Sequence, residues 1–128
     1  MRIMLADANP EVRTALRLVL EHQETMVIIG EARDAINLFA QVAHFCPDVV
    51  LLDPDLPGLV PTGKRLSTSS LSELINTLHL LCPTICVIGL SSRPDSEKDC
   101  LQAKMDAFAC KSDPPDDLIK ILINIVRK

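Results

Sequence analysis

Four polar residues of the chain each stand directly after an apolar run that is typical of a buried strand. Asp53 follows Val49–Leu52, a continuous apolar stretch with turn-forming residues on both sides. Asp7, Ser91 and Lys111 directly follow three other short apolar runs. A carboxylate can attack phosphorus and can also bind a hard cation. The sequence therefore makes Asp53 a candidate nucleophile or metal ligand.

Each of these residues also has a purely structural interpretation. Asp53 precedes a proline, and aspartate before proline is an ordinary way to start a turn. Asp7 could likewise be a turn residue, Ser91 the start of a helix and Lys111 a solvated charge. The structural interpretation is weaker for the four together, because it does not predict two carboxylates, a hydroxyl and an ammonium at equivalent strand ends.

Strand-like and helix-like segments alternate along the chain. Asn9 followed by Pro10 and the capping box Ser70–Glu73 are typical of helix starts. Strands are predicted at 2–6, 26–29, 49–52, 84–90 and 106–110, and helices after Asn9, Asp34, Ser70, about Asp95 and Pro114–Pro115. Five strands alternating with five helices predict a single α/β domain over residues 1–128, with a parallel sheet covered on both faces. In a flavodoxin-like strand order 2-1-3-4-5, the four polar residues would share one edge.

Composition excludes several classes of function. The net charge is −4 and the pI is near 5.3, whereas duplex DNA binding requires a basic face. Three Phe and no Trp or Tyr leave no aromatic platform for single-stranded nucleic acid. No apolar run reaches the length of a membrane span, and Asp7 comes too early for a signal peptide. We therefore expect a cytoplasmic protein that does not itself bind nucleic acid or a membrane.

The cysteines favour the same location. Five cysteines are scattered through the chain without a C-x-x-C pair, which does not suggest a disulfide framework. Cys86 and Cys110 lie in apolar runs and are expected to be small buried hydrophobic residues. Cys82 and Cys86 are spaced closely enough to be considered as metal ligands, but no further cysteine or histidine completes a set.

Over essentially its whole length the chain resembles the phosphoacceptor receiver domains of two-component response regulators. Leu5–Asp7 with Asn9–Arg13 is similar to the first strand and helix start of receivers from helix-turn-helix transcription regulators. Pro47–Gly58 resembles the phosphorylation segment, Leu90–Ser92 the hydroxyl segment, and Phe108–Lys111 the segment with the switch aromatic and the lysine. The resemblance implies the flavodoxin-like doubly wound sheet of order 2-1-3-4-5 with five helices.

The resemblance also implies roles for individual residues. Asp53 would be the phosphoacceptor, with Lys111 and Ser91 contacting the phosphoryl group and Phe108 acting as the switch. Mg²⁺ would be bound by Asp53, by Asp7 through a water molecule and by the backbone carbonyl of Asp55. The implied partners are a sensor histidine kinase and an output domain or partner protein. Enzymatic activity would be limited to the domain's own phosphorylation and dephosphorylation.

The sequence departs from the receiver pattern at three places. Receivers usually carry two adjacent acids after the first strand, and Ala8 stands where the second one would bind the metal. Magnesium binding is therefore expected to be weakened. Ala103–Met105 replaces the usual Ala-Gly-Ala, and the segment from Pro54 to Ser69 is unusually long. We expect residues 59–69 to be the most mobile part of the chain.

Two alternatives to a phosphorylated switch therefore stay open. The first is a degenerate receiver that acts as a phosphorylation-independent interaction module, which Ala8 favours. The second is a flavin-binding domain of similar topology, although Asp7–Pro10 replaces the phosphate-binding loop that a flavin needs.

The last helix is predicted to carry an interaction surface. Ile119 and Ile123 fall outside the inward-facing positions of this helix and share one side, because residues four apart are neighbours on a helix. Receivers of transcription regulators commonly pair through faces that include this helix. We therefore predict a weak homodimer or partner contact here.

Overall fold

A computed structural model describes residues 1–58 and 68–126. The strands are β1 Arg2–Ala6, β2 Val27–Ala32, β3 Val49–Leu52, β4 Cys86–Ser91 and β5 Ala107–Cys110. The helices are α1 Pro10–Leu20, α2 Ala35–Phe45, α3 Thr68–Leu81, α4 Ser96–Gln102 and α5 Pro115–Val126. All neighbouring strands are parallel, in the order β2-β1-β3-β4-β5. The predicted fold class and strand order are confirmed.

The sheet separates two aliphatic clusters because neighbouring side chains along a strand point to opposite faces. In β1, Met4 and Ala6 pack under α2, α3 and α4, while Ile3 and Leu5 pack under α1 and α5. The four residues of β3 are all buried, as expected for a central strand covered on both faces. The core therefore holds the middle strands rigidly and fixes where their carboxyl ends lie.

The predicted helix caps at Asn9 and Asp34 are confirmed. The Asn9 side chain accepts a hydrogen bond from the Glu11 amide at 2.9 Å, and Asp34 accepts from the Asn37 amide at 2.7 Å. These bonds satisfy amides that have no partner within the helix. Each cap starts its helix a few residues after a strand, so the connections at this edge of the sheet are short.

Several predicted boundaries were wrong. β2 does not close at Gly30, since Gly30–Ala32 pair with Met4–Ala6 of β1. The capping box predicted that α3 starts at Ser70, but the helix begins at Thr68, which puts Ser70 inside its first turn. Residues 59–67 lie outside the described part of the chain, so the mobility predicted for residues 59–69 stays a prediction. β4 and α4 are shorter than predicted.

The expectations drawn from the cysteines were wrong on two points, the absence of a disulfide and the burial of Cys86 and Cys110. Cys46 and Cys82 form a disulfide, with Cα atoms 5.5 Å apart and 36 residues apart in sequence. Cys46 follows α2 and Cys82 follows α3, and these neighbouring helices end close together on the same face of the sheet. Cys86 and Cys110 are only partly buried, whereas Cys100 is fully buried.

The apolar strip predicted on α5 is narrower than expected. Ile119 is half-buried and packs against the cluster under α1 and α5, while Ile123 is exposed. Leu118 and Leu122 of the same helix are buried, and Ile121 and Ile125 are half-buried. Among the described residues, no helix is long and apolar enough to cross a membrane.

Candidate phosphoacceptor site

Backbone hydrogen bonds to neighbouring strands fix the positions of three candidate site residues, Asp7, Asp53 and Lys111. The Asp7 amide donates to the Ala32 carbonyl at 3.0 Å, and the Asp53 amide donates to the Ala6 carbonyl at 2.9 Å. The Lys111 amide donates to the Ser91 carbonyl at 2.8 Å. Each bond continues the sheet ladder one step past a strand end. The three side chains therefore start from fixed positions on one edge of the sheet.

One ammonium group joins the two carboxylates. Lys111 Nζ lies 2.6 Å from Asp7 Oδ2 and 2.8 Å from Asp53 Oδ2. The side chains are largely buried, with exposed fractions of 5% for Asp7, 15% for Asp53 and 18% for Lys111. Two carboxylates this close would repel each other, and the shared cation offsets that repulsion. The structure thus brings together three of the predicted site residues.

The remaining carboxylate oxygens of the two acids accept backbone hydrogen bonds. Asp7 Oδ1 accepts from the Asn9 amide at 2.9 Å, and Asp53 Oδ1 accepts from the Asp55 amide at 2.8 Å. Arg13 holds the same turn, because its Nη1 donates to the Asp7 carbonyl at 2.5 Å. These contacts fix both carboxylate planes. Asp53 therefore presents a negatively charged, oriented and partly exposed group.

Lys111 is held in its charged form. Burial lowers the pKa of Lys111, but the hydrogen bonds that Lys111 donates to Asp53 and Asp7, and the negative charge of both, raise the pKa by more. The net effect is a pKa above the ordinary value of 10.5. Lys111 therefore supplies a full positive charge beside Asp53 at neutral pH.

An ion pair that the sequence analysis did not predict lies beside the site. Arg93 Nη2 contacts both carboxylate oxygens of Asp55, at 2.6 and 2.7 Å. This pair links the loop after β3 to the loop after β4. Both carboxylate oxygens of Asp55 accept from Arg93, so this side chain does not replace the acid that is missing at Ala8. Arg93 could have been suspected, since it follows β4 by two residues at the same edge.

Ser91 and Phe108 occupy the adjoining part of the edge. The Ser91 hydroxyl accepts from the Arg93 amide at 3.0 Å and lies 3.4 Å from the Ser96 hydroxyl at the start of α4. Phe108 is half-buried and packs beside Gly89, where an added Cβ would lie 3.2 Å from the ring. The Ser91 hydroxyl thus faces α4 rather than making a hydrogen bond with Asp53.

Residues 3–123 match the family model described as the response regulator receiver domain. The chain belongs to the response regulator receiver family. A 68-residue segment is 35% identical to the oxygen regulatory protein NreC of Staphylococcus epidermidis, and it covers 50% of this chain and 31% of that protein. The match thus spans about a third of the length of this curated relative.

Solved structures show the same fold. The signal receiver domain of the response regulator NarL from Mycobacterium tuberculosis superposes with a TM-score of 0.78 at 20% identity, covering 98% of this chain and 95% of that one. The isolated receiver domain of RcsB from Salmonella enterica serovar Typhimurium, in the presence of the phosphomimetic BeF3−, gives 0.80 at 22% identity, covering 99% and 88%. At this identity the likeness concerns the fold alone.

Lys111→Met should lower the free energy of unfolding by about 1–3 kcal/mol at neutral pH, because it leaves two largely buried carboxylates without their shared cation. Urea unfolding measures the change. Adding Asp53→Asn to Lys111→Met should recover part of the loss, since one of the two repelling charges is removed. Lys98→Met, at an exposed position of α4, is the control and should change stability little.

The stabilising effect of Lys111 should depend on pH in one direction. Because its folded-state pKa is raised, its contribution is fully present below pH 10.5 and is lost as the pH rises through the raised pKa. Between neutral and alkaline pH, the stability difference between the wild type and Lys111→Met should therefore persist until the solution is strongly alkaline and should shrink there. A difference that grew with pH in that range would contradict this assignment.

Proposed function

We propose that this receiver domain accepts a phosphoryl group on Asp53 from a phosphohistidine of a sensor histidine kinase or from a small acyl phosphate. The observation that carries the proposal is the contact of one ammonium, Lys111, with both Asp7 and Asp53. Phosphoryl transfer depends on positioning and charge neutralisation more than on covalent assistance. An oriented carboxylate with a fixed cation beside it meets both requirements.

The chemistry of the transfer can be assigned to individual groups. A carboxylate oxygen of Asp53 forms a bond to phosphorus, while the bond from phosphorus to the donor nitrogen or oxygen breaks and its electron pair leaves with the donor. Lys111 then exchanges its hydrogen bond with Asp53 for one with a phosphoryl oxygen. Its contact with Asp7 keeps the ammonium in place, so little reorganisation accompanies the exchange.

Ser91 and Phe108 are proposed to change position when Asp53 is phosphorylated. A phosphoryl oxygen on Asp53 would offer the Ser91 hydroxyl a stronger acceptor than Ser96, which lies 3.4 Å away. Movement of Ser91 would free space on the face that Gly89 and Phe108 share, so that the ring could turn inward. The surface around β4, α4 and β5 would then change shape for a partner protein.

Asp7 and Asp53 fit a magnesium ion that keeps several water ligands, because Mg²⁺ is commonly held by one or two carboxylates together with substrate phosphate. The backbone carbonyl of Asp55 would add a third ligand. When bound, Mg²⁺ would neutralise negative charge on the incoming phosphoryl group. Among the described residues no cluster of three or more His, Cys, Asp or Glu side chains is arranged to bind a metal. The proposed site therefore depends on two carboxylates.

A kinase partner and a role in transcription are proposed because the chain belongs to the response regulator receiver family. NreC is named an oxygen regulatory protein, and RcsB has a structure bound to the promoter rprA. We propose that the present domain works in the cytoplasm of a two-component system and regulates transcription through an output domain or a partner protein.

A degenerate receiver is the second candidate function. Ala8 favours it, because a carboxylate that usually binds the metal is missing there, and the contacts of Lys111 with Asp7 and Asp53 hold this edge together without a phosphoryl group. In that case the surface near α4 and α5 would bind its partner in one constant form.

Intact-mass spectrometry after incubation with acetyl phosphate and magnesium distinguishes the two candidates. We expect the mass of one phosphoryl group to be added to the wild type and none to be added to Asp53→Asn. Asp113→Asn, at an exposed position after β5, is the control and should be modified like the wild type. An unmodified wild type at saturating donor would favour the degenerate receiver.

Ala8→Asp should tighten magnesium binding by at least about tenfold, because it adds a carboxylate next to Asp7. Isothermal titration calorimetry measures the affinity directly. Ala43→Asp adds the same charge at an exposed position of α2 and should leave the affinity nearly unchanged. Equal affinities in the wild type and Ala8→Asp would show that position 8 does not contribute a ligand.

We also propose a weak homodimer or partner contact through α5, where Ile123 is 38% exposed. Sedimentation velocity over a range of concentrations tests the homodimer, and Ile123→Lys should shift the protein toward the monomer. Leu80→Lys, at a more exposed leucine of α3, is the control and should have no effect. A wild type that stays monomeric at high concentration, with and without fluoroberyllate, would exclude the homodimer.

A further inference from the structure

The Cys46–Cys82 disulfide joins two helix ends at the edge of the sheet opposite Asp53. Cys46 precedes β3 and Cys82 precedes β4, whereas Asp53 and Lys111 follow strands. The Cα separation of 5.5 Å lies within the range of ordinary disulfides. The bond is therefore well placed to link α2 and α3 without contacting the candidate phosphoacceptor site.

The two cysteines differ strongly in exposure. Cys46 is an exposed residue, while Cys82 has no exposed surface. Thiol–disulfide exchange begins when a thiolate attacks one of the two sulfurs, and access decides which one. An external thiol can approach Cys46, and the packed end of α3 shields Cys82.

The surroundings of Cys82 also suit the reduced form. Its Sγ lies 3.9 Å from the Pro47 carbonyl oxygen and 4.0 Å from Thr84 Oγ1. A thiol released there would have acceptors already in place, so reduction would not leave a buried polar group unsatisfied. Both redox states are therefore compatible with the same packing.

The backbone of Cys46 has an unusual conformation for a cysteine and is fixed by other contacts. Cys46 ends α2 in the left-handed conformation, with φ 43° and ψ 68°, where glycine or asparagine is usual. Arg2 fixes this helix end, since its guanidinium donates to the carbonyls of Phe45 and Cys46 at 2.7 and 3.1 Å. The sulfur of Cys46 is thus held near Cys82 by contacts that do not depend on the disulfide itself.

We propose that Cys46–Cys82 is a reversible disulfide, with Cys46 as the site of exchange with a low-molecular-weight thiol of the glutathione class. The thiolate attacks Cys46 Sγ, the Cys46–Cys82 bond breaks, and Cys82 leaves as a thiolate that takes up a proton. A second thiol of the same class then attacks the sulfur of the thiol that is bound to Cys46. The mixed disulfide breaks, and Cys46 leaves as a thiolate that takes up a proton. In sum, two thiols are oxidised to their disulfide while the protein gains two cysteine thiols.

The first experiment follows the redox state of the wild type under native conditions. We expect reduced glutathione to convert the protein to a form heavier by two hydrogen atoms, and oxidised glutathione to reverse the change. Cys110→Ser, at a half-buried cysteine outside the disulfide, is the control and should cycle in the same way. A disulfide that resists excess reduced glutathione, or thiols that never pair in oxidised glutathione, would overturn the proposal.

The second experiment tests the asymmetry between the two sulfurs. In oxidised glutathione, Cys82→Ser should form a mixed disulfide at Cys46, while Cys46→Ser should form one at Cys82 at least about tenfold more slowly. Peptide mapping separates these sites from Cys100, where burial raises the pKa of the thiol to about 12. Equal rates, or faster modification of Cys82, would contradict the assignment.

Partial reduction of the wild type, quenched with acid, gives the same information without either variant. The trapped intermediate should carry glutathione on Cys46 and a thiol on Cys82. The opposite distribution would overturn the proposal even if one of the variants did not fold.

Discussion

The ammonium of Lys111 is the constraint on which the candidate site depends. Asp7 and Asp53 end adjacent strands, so the sheet forces their carboxylates together whether or not anything neutralises them. Lys111 follows β5, the strand at the margin of the sheet. Its Nζ lies within 2.8 Å of a carboxylate oxygen of each aspartate. A cation between two largely buried carboxylates stabilises the folded edge and also prepares it for a further anionic group.

The surrounding contacts divide this edge into a fixed part and an adjustable part. Backbone amides hold the carboxylates of Asp7 and Asp53, and these bonds belong to turns that the sheet positions. Arg93 with Asp55 and Ser91 with Ser96 are side-chain contacts between loops or between a strand and a helix. Contacts between side chains can exchange partners at small cost, so a phosphoryl group would rearrange them before it disturbed the sheet.

Much of this could be predicted from the sequence because the determinants are local. Val49–Leu52 is long and apolar enough to be a central strand, and a residue directly after such a strand must lie at its carboxyl end. The convergence of Asp7, Asp53 and Lys111 follows from that placement and the strand order. The caps at Asn9 and Asp34 were likewise predictable, since each acts on an amide two or three residues away.

The features that were missed depend on distant partners. Arg93 and Asp55 are 38 residues apart, and nothing in the local pattern around either one specifies where a long side chain will reach. Cys46 and Cys82 are 36 residues apart and become neighbours only when α2 and α3 pack together. β2 runs through Gly30 because β1 offers it a pairing partner, which outweighs the weak strand preference of glycine.

The central claim is that Asp53 is the phosphoacceptor and that Lys111 is its counter-charge. A crystal structure of the domain with magnesium and fluoroberyllate tests this most directly, because fluoroberyllate bonded to a carboxylate oxygen mimics an acyl phosphate. We expect beryllium bonded to an Asp53 oxygen, with Lys111 Nζ contacting a fluorine and retaining its contact with Asp7. Lys111 still bridging Asp7 and an unmodified Asp53 at saturating fluoroberyllate would contradict the account.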